Sequence, residues 1–290
     1  MIRIVYIFYF NYISYNNNKN FICLCVIAKE ENLYAKEYVN HYKNLGYNHI
    51  FIYDNNDLEG EKFESVIEDE IKSGFVSIIN YRGYHLVQVE AYYDCYEKNK
   101  KKYQWLSFFD FDEFLEIKTQ DENIQNFLSK EKFHDCISIK VNWVFFNDNN
   151  TVFYDKKPLN ERFMTSDYEK GGNKHIKSIV RGNLNVNYWK NAPDPHSSKF
   201  GFYSCNPSGK RIMNTSPFNF PPDLKGLILR HYHSKSIEEY IWKIKRGRPD
   251  IREDKTESYF INKLNDFFNE NNKTKQKLEI IKKYLNITLK

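Results

Sequence analysis

Trp105 to Leu115 read WLSFFDFDEFL, a dense apolar run that ends in three carboxylates, Asp110, Asp112 and Glu113. Trp105, Leu106, Phe108 and Phe109 leave no polar face for water, so the run reads as a strand buried on both sides. Strands of that kind belong to open α/β sheets, whose ligands sit in the crevice at the carboxyl ends of the strands. Asp110 and Asp112, at i and i+2, are delivered to that crevice. Two hard oxygen donors suit Mg²⁺ or Mn²⁺ shared with substrate phosphates. The bare D-x-D triplet is weak evidence, because a chain this acidic holds about one by chance. The competing reading is a turn or helix N-cap after a strand, so the flanking sequence has to decide.

Working upstream, Phe21 to Ala28 is an apolar run closed by Lys29, Glu30 and Glu31. Ala35, Val39, Tyr42 and Leu45 follow at helical spacing, and Gly46 stops that helix. His49 to Tyr53 predicts a second strand, ending at the turn Asp54-Asn55-Asn56-Asp57. Val66, Ile67 and Ile71 predict a helix closed by Gly74, Phe75 to Ile79 a third strand, and Leu86 to Tyr96 another helix. Strand, helix, strand, helix, strand is the order of a doubly wound, mostly parallel sheet. Its acidic strand ends, Glu30 with Glu31, Asp54, and Asp110 with Asp112, converge on one rim.

Downstream the pattern loosens. Ile124 to Phe133 reads as a helix and Cys136 to Phe146 as a long alternating strand, followed by loop-rich sequence from Thr151 to Gly172. Ile176 to Val180 is a short strand. Pro193 and Pro195 make the segment around Asp194 and His196 irregular. Asn206 to Asp223, with four prolines, predicts a flexible surface loop able to act as a lid. Leu227 to Arg230 is a strand leading to His231-Tyr232-His233. Ser236 and Glu239 form a capping box for a helix that Gly247 closes. Three regions result: an apolar segment and linker over 1–20, an α/β domain over 21–250, and a C-terminal amphipathic helical appendage over 251–290.

Composition narrows the classes. The 290 residues carry 43 Lys and Arg against 38 Asp and Glu, a net charge of +5 with no basic face that would fit a nucleic acid. Glycine is scarce, at 11 residues, and neither a P-loop nor G-x-G-x-x-G is present, so phosphate charge must be met by metal and basic side chains. Five scattered cysteines, an odd number, argue against a disulfide framework and for a reducing cytoplasm. Ile2 to Ile13 is too short to span a membrane; an extra strand or a peripheral contact with the inner membrane face are the alternatives.

VIAKEENLYAKEYVNHYKNLGYNHIFIYDNN (Val26 to Asn56) and FFDFDEFL (Phe108 to Leu115) resemble the opening and metal segments of GT-A fold glycosyltransferases. The similarity is to the bacterial family 2-like group and the related family 92. Lys177-Ser178-Ile179, Pro195-His196, His231-Tyr232, Lys235-Ser236, Lys243 and Arg246-Gly247 match later landmarks of that group in order. One departure is Glu30, where the group usually has Asn.

The resemblance implies a GT-A, Rossmann-like sheet flanked by helices. It implies transfer of a sugar from a nucleotide-diphosphate donor, a UDP-sugar first, to a hydroxyl of a glycan or lipid-linked glycan acceptor. Inversion and a setting in surface polysaccharide or glycoconjugate synthesis follow from the same likeness. Asp110, Asp112 and His231 would hold Mn²⁺ or Mg²⁺, with His233 as the fallback for His231. Ala28, Lys29, Asp54, Arg82, Gln88 and Asp110 would contact the nucleotide-sugar, and Lys235 and Arg246 the diphosphate, although Arg246 also reads as a solvated helix residue. Glu113 would orient the loop or the acceptor, or cap a helix. Asp194 and Glu161 are candidates for the general base, with Asp148 a third; His196 would shape the acceptor pocket. Two other classes fit the same carboxylates: a different metal-phosphate enzyme, such as a nucleotidyltransferase or phosphohydrolase, and a non-catalytic sugar-binding module.

Overall fold

A computed structural model describes residues 20–148, 151–167, 171–184, 196, 204–212 and 216–247. The apolar segment over 1–19, Asp194 and the appendage over 251–290 lie outside these residues. The strands are β1 (Asn20–Ala28), β2 (His49–Asp54), β3 (Val76–Asn80), β4 (Tyr103–Phe108), β5 (Glu113–Ile117), β6 (Ser138–Phe146), β7 (Ser166–Asp167), β8 (Ile176–Arg181), β9 (Ser204–Cys205), β10 (Arg211–Ile212) and β11 (Leu227–His231). The helices are α1 (Asn32–Asn44), α2 (Glu68–Lys72), α3 (Gln88–Asn99), α4 (Ile124–Leu128), α5 (Leu159–Arg162) and α6 (Ile237–Arg246).

The strand order is β10-β9-β6-β8-β4-β1-β2-β3. β3, β2, β1 and β4 are mutually parallel, β8 runs against them, and β6 and β9 return to the common direction before β10 reverses. This is the mostly parallel α/β sheet expected from the sequence. β6 also bridges to a smaller sheet, pairing with β11, which pairs in turn with β5.

The period-two alternation of β1 sorts its side chains between two cores. Ile22, Leu24 and Val26 pack with Tyr38, Val39 and Tyr42 of α1 on one face, while Cys23, Cys25 and Ile27 pack with Ala91, Tyr92 and Cys95 of α3 on the other. Burial of apolar area on both faces is the main favourable term holding α1 and α3 to the sheet. Gly46 ends α1 with φ +92°, a conformation that costs other residues about 1 kcal/mol or more.

Several expectations are corrected. The helix expected over Ile124 to Phe133 breaks into α4 and a 3₁₀ turn at Glu131–Phe133. The proline-rich stretch from Asn206 is not a free lid in its described part. β10 pairs with β9, and Asn219 and Asp223 are pinned by the side chain of Asn142, whose Oδ1 accepts from Asn219 Nδ2 at 2.9 Å and from the Asp223 amide at 3.1 Å. A buried amide that must be satisfied draws the loop inward. The cysteines do form cross-links: Cys25 with Cys95, and Cys136 with Cys205. Cys23 alone is a free, buried thiol. Odd counting could not see that four of the five lie in spatial pairs.

Candidate functional site

The D-x-D loop is held from below by aromatic packing. Phe111 stacks on Tyr38 at 4.3 Å between centroids, and Phe114 meets the same ring edge-on at 5.5 Å. Tyr42 donates to the Glu113 carbonyl at 2.8 Å. With Phe111 and Phe114 drawn into the core, Asp110 is left partly exposed at the rim, while Asp112 and Glu113 are buried beneath it. The register confirms the convergence expected from sequence: Ala28 lies beside Asp54 in β1 and β2, and Cys25 beside Phe108 in β1 and β4.

Asp112 has its own counter-charge, whereas Asp110 and Glu113 share one. Asp112 is buried between two cations or proton carriers: Lys243 of α6 donates to Oδ2 at 2.7 Å, and His231 Nε2 stands 3.6 Å from Oδ1. Burial works against its ionisation, yet Lys243 and His231 hold its carboxyl well below the usual 3.8. Burial lowers the pKa of His231, against the pull of Asp112, so the imidazole is neutral near pH 7. Its Nδ1 has no partner.

Asp110, one third exposed in its side chain, accepts from Lys177 of β8 at 2.7 Å and from the Tyr92 hydroxyl at 3.1 Å. Burial opposes its charge, but Lys177 brings the pKa below its ordinary value. Gln88 opens α3 one turn before Tyr92, whose hydroxyl bonds Asp110. Glu113 is fully buried. Its Oε2 accepts from the Asp110 amide at 2.9 Å, while Oε1 has no hydrogen-bond partner and lies 3.8 Å from Lys177. Burial, with Asp110 and Asp112 nearby, pushes its carboxyl well above 4.5 despite Lys177.

A basic flank closes the β1 side. Arg246 donates to the Lys29 carbonyl at 2.8 Å and pairs with buried Glu31 at 2.5 Å, so it is an anchored residue and not a solvated one. Lys235, at φ +52°, stands 3.6 Å from Glu31 and 3.7 Å from the centroid of the Tyr34 ring. Burial lowers its pKa, offset by Glu31.

Other expected residues have structural commitments. Asp54 accepts from the amide and side chain of Asn56 at 3.0 and 2.7 Å and from Arg82 at 2.6 Å. Arg82 also donates to the carbonyls of Asp57, Leu58, Gly60 and Glu61. Its guanidinium therefore clamps the 57–61 loop; a phosphate contact would have to displace those bonds. Lys29 pairs with Asp57 at 2.8 Å. Glu161 is exposed on α5, whose Arg162 and Leu159 bond to Glu239 and Glu37 and not to the acidic pair. His196 rests on the Ile176 carbonyl at 3.2 Å and packs edge-on to Trp143.

The role of Lys177 is what residue-by-residue reading of the sequence missed. A lysine inside the buried strand Ile176–Arg181 was the available signal, since a buried ammonium requires an anion. An imidazole nitrogen and a carboxylate oxygen facing each other at 3.6 Å suit a divalent ion in donor chemistry, Mn²⁺ more than Mg²⁺. Asp110 is held aside by Lys177 and Tyr92, and among the described residues no group of three or more His, Cys, Asp or Glu is placed to hold a metal. No helix among these residues is long and apolar enough to cross a membrane.

The sequence model described as Glycosyltransferase family 92 matches residues 19–272. A glycosyltransferase family 92 protein of Ricinus communis is 28% identical over 98 residues, 34% of this chain. The match spans only 17% of that relative's length. Among solved structures, the crystal structure of S. aureus TarS aligns with 56% of this chain and 28% of its own, at 11% identity and a TM-score of 0.34.

Proposed function

The chain belongs to glycosyltransferase family 92, and from that premise we propose that it transfers a sugar from a nucleotide-diphosphate donor to a hydroxyl acceptor. The donor of choice is a UDP-sugar, the fold variant GT-A, the stereochemical course inversion, and the acceptor a glycan or lipid-linked glycan. One observation carries the reading: Asp112 stands at the exit of β4 between Lys243 and His231. A basic flank of Lys235 and Arg246 lies beside it at the end of β1, suited to a diphosphate.

In this reading Ala28, Lys29 and Asp54 line the nucleoside end of the rim, and Gln88 lies one turn before Tyr92, which holds Asp110. Lys243 and Lys235 face the diphosphate and stabilise it as it leaves. A divalent ion, Mn²⁺ or Mg²⁺, would be held by Asp112 and His231 with Asp110, and would supply neutralisation of charge on the leaving group. Inversion requires a general base to take the acceptor proton; Asp194 and Glu161 are the candidates. The cytoplasmic setting expected from the cysteine count loses that support, because two disulfides belong to oxidising compartments.

Calorimetric titration of UDP and UDP-sugars, with and without Mn²⁺, tests the proposal on the wild type and on Asp112→Asn. Metal-assisted binding that falls at least tenfold in the variant is the expected result. Absence of nucleotide binding under every metal condition would sink the transferase reading in favour of a sugar-binding module. Turnover of the nucleotide with no acceptor requirement would instead point to a phosphohydrolase.

A further inference from the structure

Asp112 divides the rim into two chemically different halves. Oδ2 faces Lys243, with Lys235 and Arg246 on the same flank; Oδ1 faces His231, behind which lies a run of aromatic rings whose outermost member, Phe218, has Lys174 over its face at 5.0 Å. Beyond Val141, β6 keeps Val144 and Phe146 in the core and leaves the alternate residues Trp143 and Phe145 half-buried on that side. In the register of β6 with β11, His231 is the direct neighbour of Phe145. His231 lies 4.3 Å from Trp143 and 4.9 Å from Phe145 between centroids. His175 stacks on Trp143 at 4.8 Å and meets Phe218 at 4.6 Å. Trp143, Phe145 and His175 are half-buried and Phe218 is exposed.

The shelf is framed as a preformed surface. Gly172 lies so close to the Phe145 ring that a Cβ there would come within 2.5 Å of it. Asn173 Oδ1 accepts from the Phe145 amide at 3.0 Å, and Asn142 ties the carbonyls of Asn173 and Asn219 beneath. The indole Nε1 of Trp143 is enclosed and has no acceptor. Ring faces and edges beside imidazole nitrogens match a pyranose, which offers an apolar C–H face bordered by hydroxyls.

We propose that the shelf of Trp143, Phe145, His175 and Phe218 seats the acceptor, and that a pyranose ring of the acceptor lies against the Trp143–His175 edge. This rests on the transferase reading: the basic half takes the diphosphate, the aromatic half the acceptor, and Asp112 with His231 marks the boundary.

The test uses saturation-transfer NMR on the full chain with p-nitrophenyl β-glucoside, β-galactoside and α-mannoside, in saturating UDP and Mn²⁺. Saturable binding of at least one pyranoside is expected, weakened about tenfold by Trp143→Ala, with UDP affinity within twofold of wild type. Trp143→Phe and His175→Ala, each checked by thermal melting, should weaken it about threefold and carry the test if Trp143→Ala does not fold. No saturable binding of any pyranoside, or binding indifferent to all three substitutions, overturns the proposal. Displacement of the pyranoside by a UDP-sugar but not by UDP would make the shelf the seat of the donor sugar and overturns it equally. Loss of UDP binding in the wild type is the separate failure of the transferase reading.

Discussion

Lys177 faces two carboxylates of the D-x-D loop at once. It is fully buried with Asp110 at 2.7 Å and Glu113 at 3.8 Å, and burial, which lowers its pKa, is outweighed by Asp110 and Glu113, which raise it. One ammonium cannot fully balance both the buried Glu113 and the half-buried Asp110, and the conflict is resolved by a depressed Asp110 and a raised Glu113. Lys177→Met should therefore cost about 3–5 kcal/mol, read as a shift in the urea midpoint, because it strands buried charge. Glu113→Gln should cost less than about 1 kcal/mol at pH 7, because an amide imitates the protonated acid and its oxygen can keep the bond from the Asp110 amide. A Glu113→Gln variant as unstable as Lys177→Met would refute this charge assignment. Asp112 behaves in the opposite sense to Glu113. Its folded pKa lies well below 3.8, so its stabilisation is complete above that value and is lost as pH falls through the lower, folded one. Acid unfolding curves should show this loss in the wild type below about pH 4 and lack it in Asp112→Asn.

At the scale of elements, α6 decides whether the basic flank exists, since it delivers Lys243 and Arg246 to the ends of β4 and β1. Its start was legible from sequence, and the capping box between Ser236 and Glu239 forms as read. What the spacing could not reveal is the second task of Glu239. That carboxylate also accepts both terminal nitrogens of Arg162 at 2.8 and 2.9 Å and the Tyr34 hydroxyl at 2.7 Å, joining α6 to α5 and α1. Partners 77 and 205 residues apart leave no periodic trace. Ser236→Ala should cost about 1 kcal/mol as a lost cap. Arg162→Met, which leaves Glu239 buried without its cation, should cost about 3–5 kcal/mol. If α6 positions the flank as described, Arg162→Met should also weaken UDP binding although it touches none of the rim. Unchanged UDP affinity in a folded Arg162→Met protein would break the link between α6 and the donor site.

For the whole molecule, legibility follows element length, and β6, β8, β11 and the start of α6 could be read downstream of β5 as well. Upstream, long apolar strands, helical spacing and glycine stops repeat, so β1 to β4 and α1 to α3 could be read from pattern alone. Downstream, β7, β9 and β10 have two residues each, too few for any period, and their pairing follows from β6 serving two sheets. The cysteines escaped for a related reason, since proximity across 70 and 69 residues is a property of the finished sheet. Their arrangement has a measurable consequence. Cys25–Cys95 fastens β1 to α3 one helical turn beyond Tyr92, whose hydroxyl holds Asp110, whereas Cys136–Cys205 fastens the entry of β6 to β9, away from the D-x-D loop. Loops of this length stabilise by roughly 2–4 kcal/mol each through the unfolded chain. Full reduction should accordingly lower Tm by on the order of 10 °C. Thiol titration of the unfolded, unreduced protein should find the single thiol of Cys23; five would show that the cross-links do not form. The two bonds should then differ in effect. Cys136→Ser with Cys205→Ser should lower Tm and leave UDP affinity alone, while Cys25→Ser with Cys95→Ser should lower both, because α3 is the element that holds Tyr92 against Asp110.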